Sequence, residues 1–281
     1  MESLLKKIRT PLKEVQGIVG IVLGGSRATG THSGDSDYDI GIYYDEDLGF
    51  NIHAIDEIAT HLDDESRSDL VTDIGGWGPW VNAGAWLTVD GQAVDFIFRD
   101  IHRVENEIQN GLDGKISNHY HSGHPHAFLN IMYMGELAES QILFDPTNRL
   151  EELKELTIPY PEALKHAIVN HFTFEAKFAY EHAKATIYKD DIYYVAGNYF
   201  RCISSLNQIL FTLNQTYCLN EKKAVKRISG FQIKPQNYKD RVDRIFTNLS
   251  TETTKRNNSI NELKVLINDT IDLEEKSLKK Y

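Results

Sequence analysis

The sequence predicts an α+β chain: a sheet-bearing first half, then a region that is helical throughout. Two observations carry this. Up to Phe144 the apolar residues alternate between a period of 2 and a period near 3.6, and beyond Pro146 only the helical period remains. No strand pattern interrupts the candidate helices beyond that point.

Leu4, Leu5, Ile8, Leu12 and Val15 share one stripe, so residues 2–15 read as an amphipathic helix despite Pro11. Residues 18–23 are continuously apolar and read as a buried strand. Gly24-Gly25 ends it and lets the backbone turn closely, with a short helix expected over 26–31. A second strand, about 37–44, places Asp37 and Asp39 on one face and Tyr38, Ile40 and Ile42 on the other. Two carboxylates about 4 Å apart repel by about 4 kcal/mol at an effective dielectric of about 20. A divalent cation relieves that repulsion, and Mg²⁺ favours carboxylates combined with phosphate oxygens.

Residues 51–62 carry Ile52, Ile55, Ile58, Ala59 and Leu62 at helical spacing. Gly75-Gly76-Trp77-Gly78-Pro79-Trp80 reads as a loop whose tryptophans either cap a core edge or stack on a ring. Strands at 85–89 and 93–98 flank Asp90-Gly91, a hairpin signal that brings Asp95 beside the Asp37/Asp39 strand. A helix is expected over 100–110. Asn118 to His126 holds four histidines, and Gly123 and Pro125 mark it as an irregular loop. It can be read as a zinc site, an acceptor-pocket lining or plain structure. A helix over 128–137, a strand at 142–144 and helices near 148–156, 161–186, 190–217, 221–229, 236–249 and 254–280 complete the chain. The change of period divides it at 146, giving domains 1–146 and 147–281.

The Gly25-Ser26 break followed by Asp37-Tyr38-Asp39 resembles the signature of the nucleotidyltransferase superfamily that includes DNA polymerase β and the aminoglycoside nucleotidyltransferases. The resemblance implies a polymerase β-like catalytic domain, a mixed sheet flanked by helices, with an all-helical bundle domain after it. It implies a third carboxylate from a later strand, and Asp95 in Ala93-Val94-Asp95-Phe96 fits. Gly123-His124-Pro125-His126-Ala127-Phe128, Tyr133-Met134-Gly135-Glu136, Asp145-Pro146 and Leu213-Asn214-Gln215-Thr216-Tyr217 are similar to a bacterial family of nucleotidyltransferase-domain proteins with a helical C-terminal domain. Walker and Rossmann loops do not fit: Thr31 stands where a Walker loop requires lysine.

On this resemblance Asp37, Asp39 and Asp95 are the expected catalytic and metal-binding residues, with Mg²⁺ as cofactor. Gly25, Ser26 and Arg27 are the expected nucleotide-binding residues, Arg27 through its fork of donors. A bland surface salt bridge is the alternative for Arg27. Glu136 is a candidate further catalytic acid, and Glu175 a weaker one. Lys222 and Lys223 stand at a helix start, within possible reach of a triphosphate. The expected reaction moves a nucleoside monophosphate, AMP from ATP or another nucleoside monophosphate from its triphosphate, to a hydroxyl.

The formal net charge is −11. Residues 1–200 carry 15 Lys+Arg against 32 Asp+Glu, and residues 201–281 carry 15 against 9. The acidic part disfavours polyanions and attracts a cationic small-molecule acceptor such as an aminoglycoside, an antibiotic-resistance-like activity. The basic tail motivates an alternative, a toxin-like enzyme acting on protein or tRNA. A nucleotide-binding regulator without turnover is the third reading. Two cysteines disfavour a disulfide framework, and no apolar run reaches 18 residues. A cytoplasmic location without membrane contact is therefore expected, and a homodimer is admitted by analogy alone.

Overall fold

The computed structural model describes residues 2–189 and 191–278. Residue 190 and residues 279–280, placed by the sequence in its helices, lie outside the described residues. The chain forms two compact units. The first takes residues up to Gly111 together with Tyr133–Pro159, and the second takes Leu112–Met132 together with the chain from Tyr160 onward. A cut at 146 therefore does not coincide with these units: residues 147–159 group with the sheet, and residues 112–132 group with the helices.

In the first unit, helix α1 (Glu2–Leu12) leads into strand β1 (Ile18–Leu23), the short turn α2 (Gly25–Ala28) and β2 (Tyr38–Tyr44). Helices α3 (Ile52–Leu62) and α4 (Gly78–Val81) precede β3 (Gly84–Val89) and β4 (Gln92–Asp100). Helix α5 (Ile101–Leu112) follows. After the excursion into the second unit come α6 (Met132–Glu139), β7 (Gln141–Phe144) and α7 (Arg149–Glu155). The five-stranded sheet has the order β3-β4-β2-β1-β7. Only β2 and β4 pair in parallel; the other neighbours are antiparallel, so the sheet is mixed.

One face of the sheet builds the core. Ile21, Leu23, Ile40, Ile42, Val94, Phe96 and Phe98 are buried against Leu4, Leu5, Ile8 and Leu12 of α1 and Ile55, Ala59 and Leu62 of α3. Strand alternation dictates this, since residues two apart share a face. The hairpin β3–β4 is braced from behind. Asp63 accepts from Thr88 N and from the Arg67 guanidinium at 2.6 and 2.9 Å, while Asp64 accepts from Asp90 N and Gly91 N. The arginine holds the Asp63 carboxyl far below the usual carboxylate range.

The second unit contains a two-stranded hairpin, β5 (Asn118–His121) and β6 (His124–Leu129), followed within the unit by helices from Tyr160 onward. These are α8 (Glu162–Thr186), α9 (Ile192–Leu213), α10 (Ala224–Ile228), α11 (Tyr238–Thr247) and α12 (Thr253–Leu278). The histidine-rich stretch is thus regular where an irregular loop was expected. Gly123 adopts φ +87° at the turn, so it makes the hairpin rather than breaking it. Cys202 and Cys218 are buried and are not joined in a disulfide. Among the described residues no helix is long and apolar enough to cross a membrane.

Candidate functional site

The parallel register of β2 and β4 sets Asp39 directly opposite Asp95. Adjacent strands lie about 4.8 Å apart, so the two carboxylates share one patch on the face away from the core. Asp37 precedes β2 and is exposed, while Asp39 and Asp95 are half-buried. Burial, then Asp39, then Asp37 push the Asp95 carboxyl up to about 6. Three acids crowd one place, and every charge that shifts Asp95 is a neighbouring acid. Carboxyls perturbed in this way are candidates for a functional site.

The turn after β1 is pressed against this patch. Gly24 N donates to Asp39 O at 2.7 Å. Gly25 adopts φ +60°, and a Cβ there would fall 1.8 Å from Asp39 Oδ2. Glycine is thus demanded twice at 25, by its left-handed backbone and by the adjacent carboxylate. Ser26 is half-buried in the same turn. The amides of Gly25, Ser26 and Arg27 open the turn, where no carbonyl four residues earlier can accept from them within it.

Arg27 is used differently from the phosphate ligand expected. It is 8% exposed, donates from Nε to Ser36 O and Asp37 O at 3.0 and 3.1 Å, and donates from Nη2 to Ser36 O at 2.5 Å. Its guanidinium also lies 3.8 Å over the Tyr38 ring. The side chain turns inward and ties down the loop that delivers Asp37.

Glu136 stands apart from the three acids. Its carboxylate forks onto the buried Arg99 guanidinium, with both bonds at 2.7 Å. Arg99 lies four residues beyond Asp95 on β4, roughly 13 Å along the strand. Burial alone would lower the Arg99 pKa, but Glu136 overrides it and keeps Arg99 charged. An acid bound this way serves Arg99 as its counterion. Glu175 is likewise engaged: His126 Nε2 lies 2.9 Å away, and Arg201 Nε donates to it at 2.7 Å. These neighbours hold it below its ordinary pKa in spite of burial. The tryptophans pack on aromatic rings of the protein itself, Trp77 at 4.6 Å from Trp86 and Trp80 at 6.1 Å from Tyr133.

A second acidic group was not legible in the sequence. Asp45, Asp47 and His102 place ligand atoms within 4.8 Å of one another and could hold a metal ion, the one such group among the described residues. Asp45 Oδ1 already accepts from Asp47 N at 3.0 Å and faces His102 Nε2 at 3.1 Å, while Oδ2 accepts from Arg149 at 3.0 Å. Its partners lie 57 and 104 residues away, beyond any local pattern. The histidines of the hairpin do not form such a group.

Against known proteins, residues 5–77 match the family model described as a nucleotidyltransferase domain. The matched stretch holds the turn, Asp37 and Asp39, and ends before Asp95. A solved nucleotidyltransferase-like protein from Exiguobacterium sibiricum is similar at 10% identity, over 98% of this chain and 78% of that one, with a TM-score of 0.46. None of the curated proteins matches the chain.

Proposed function

Taking as premise a nucleotidyltransferase domain over residues 5–77, we propose that the chain is a Mg²⁺-dependent enzyme transferring a nucleoside monophosphate from a triphosphate to a hydroxyl. The observation that carries this reading is the register of Asp39 against Asp95 beside the Gly25 turn. Asp37, Asp39 and Asp95 fit a divalent cation because three carboxylates converge there, and burial with the Asp39 and Asp37 charges raises the Asp95 pKa. A cation held there supplies Lewis-acid charge for the departing pyrophosphate. Gly25 and Ser26 offer backbone amides and a hydroxyl to phosphate oxygens. Arg27 fixes the loop that carries Asp37. Asp95, a carboxylate beside the place the acceptor hydroxyl would occupy, is the candidate to accept its proton.

For the acceptor we propose a cationic, hydroxyl-bearing small molecule, in keeping with the 32 acids against 15 bases of residues 1–200. The basic tail argues less for nucleic acid than its count suggests. Arg241 is bound to Glu262 and Asp269, Lys239 to Asp243, and Lys255 to Glu252. Label transfer from α-³²P-ATP to an aminoglycoside panel, with pyrophosphate release measured in parallel, tests both levels. Release with some panel member supports the whole reading. Mg²⁺–ATP binding without transfer to the panel removes the acceptor alone. No binding of any Mg²⁺–triphosphate by calorimetry removes the enzyme.

A further inference from the structure

Among the described residues, α8 and α9 enclose a groove of about 750 Å³, within the range of small-molecule sites. Its walls are aromatic, including Phe178, Tyr193 and Phe246. Phe178 is 53% exposed and Tyr193 91% exposed. Phe178 also stacks 5.8 Å from Phe174 and packs 4.4 Å from His182. Solvent-facing rings in a row leave apolar area uncovered along the groove.

Two further features say what the groove takes. Gly197 sits in the second turn of α9 with helical backbone, and a Cβ there would meet nothing within 4 Å. Glycine in a helix interior costs about 1 kcal/mol relative to alanine. No described neighbour requires glycine there, and its missing side chain leaves the floor of the groove open. The charge of the lining is also one-sided. Among the described lining residues Arg201 is the one Lys, Arg, Asp or Glu. The Arg201 guanidinium donates from Nε to Glu175, and its terminal nitrogens make no hydrogen bond among the described residues.

We propose that this groove binds a planar aromatic anion, a ring bearing a carboxylate or phosphate, with the ring over Gly197 between Phe178 and Tyr193 and the anion on Arg201. Aromatic walls alone would also accept a cation. The unspent guanidinium donors, with no acid among the described lining residues, select the opposite charge. This inference is independent of the nucleotidyl-transfer reading.

The test is ligand-observed NMR and calorimetry on the full chain with benzoate and phenyl phosphate as probes. Benzyl alcohol, benzylamine and inorganic phosphate serve as the matched set lacking the charge, reversing it, or lacking the ring. Both aromatic anions should bind, and the other three should bind at least about tenfold more weakly, the scale of a charged hydrogen bond. Arg201→Gln should weaken the anions by about tenfold or more. Gly197→Leu should abolish binding while the melting temperature holds or rises, since leucine is the better helix former. Asp95→Asn should leave the affinity unchanged, which separates this groove from the carboxylate patch. Equal binding of benzylamine, survival of binding in Gly197→Leu, or no binding of either anion at millimolar concentration would overturn the proposal. So would a change of oligomeric state in Gly197→Leu, because the groove would then belong to a second copy.

Discussion

The strands β2 and β4 carry charge at both ends, and the two ends treat it in opposite ways. At one end Asp37, Asp39 and Asp95 gather with burial and mutual repulsion raising the Asp95 pKa to about 6. Toward the other, Arg99 and Glu136 form a fork, and Asp45 is shared by Arg149 and His102. The same sheet thus pairs opposite charges in one place and crowds like charges in another. Crowded like charge costs stability, and strongly perturbed carboxyls of this kind gather at functional sites.

The comparison is most sharply broken at Asp39. Asp39→Asn should lower nucleotidyl transfer by on the order of 10³-fold or more, the scale of losing metal-borne charge stabilisation. Its melting temperature should not fall. A kinetic assay beside a thermal melt reads both, and retained turnover would move the site elsewhere. The compensated end should behave in reverse. Glu136→Gln leaves the Arg99 guanidinium, 4% exposed, without its counterion and should destabilise by about 3 kcal/mol in a denaturant titration. A loss of activity at full stability would instead restore Glu136 to the chemistry.

Asp63 gives a smaller, pH-dependent effect. Its folded-state pKa is depressed, so its stabilisation is present above the unfolded value near 4 and lost as pH falls through the folded one. Asp63→Asn should therefore melt below wild type at pH 7, with the gap closing in strong acid. Asp95 runs the other way. Its folded pKa of about 6 lies above the unfolded value, so the native state is penalised as pH rises from about 4 through 6. Without Mg²⁺ or nucleotide, Asp95→Asn should melt slightly higher than wild type at pH 8 and equally at pH 3.5. Equal melting at both would mean the acids are compensated after all.

Much of the carboxylate patch was legible because it is local. Asp37 and Asp39 stand out by alternation against Tyr38 and Ile40, the family resemblance points to Asp95 between Val94 and Phe96, and the strand register sets it opposite Asp39. What was not legible depends on partners distant in sequence. Glu136 finds Arg99 37 residues away, a pairing no local pattern announces. Arg27 looked available for phosphate until its guanidinium proved to be folded over Tyr38. Gly123 and Pro125 read as disorder of pattern because hairpin turns and irregular loops use the same residues.

The facing of Asp39 and Asp95 follows from how the hydrophobic side of the sheet is keyed. A slip of one residue between β2 and β4 would send one acid into the apolar interior and turn Phe96 out to water. The penalty for that error is borne by the core, so a correctly packed interior guarantees a correctly assembled acidic pair. Cation affinity should therefore appear only once the chain has settled into its native alignment, making it a reporter of correct folding as well as a prerequisite for chemistry.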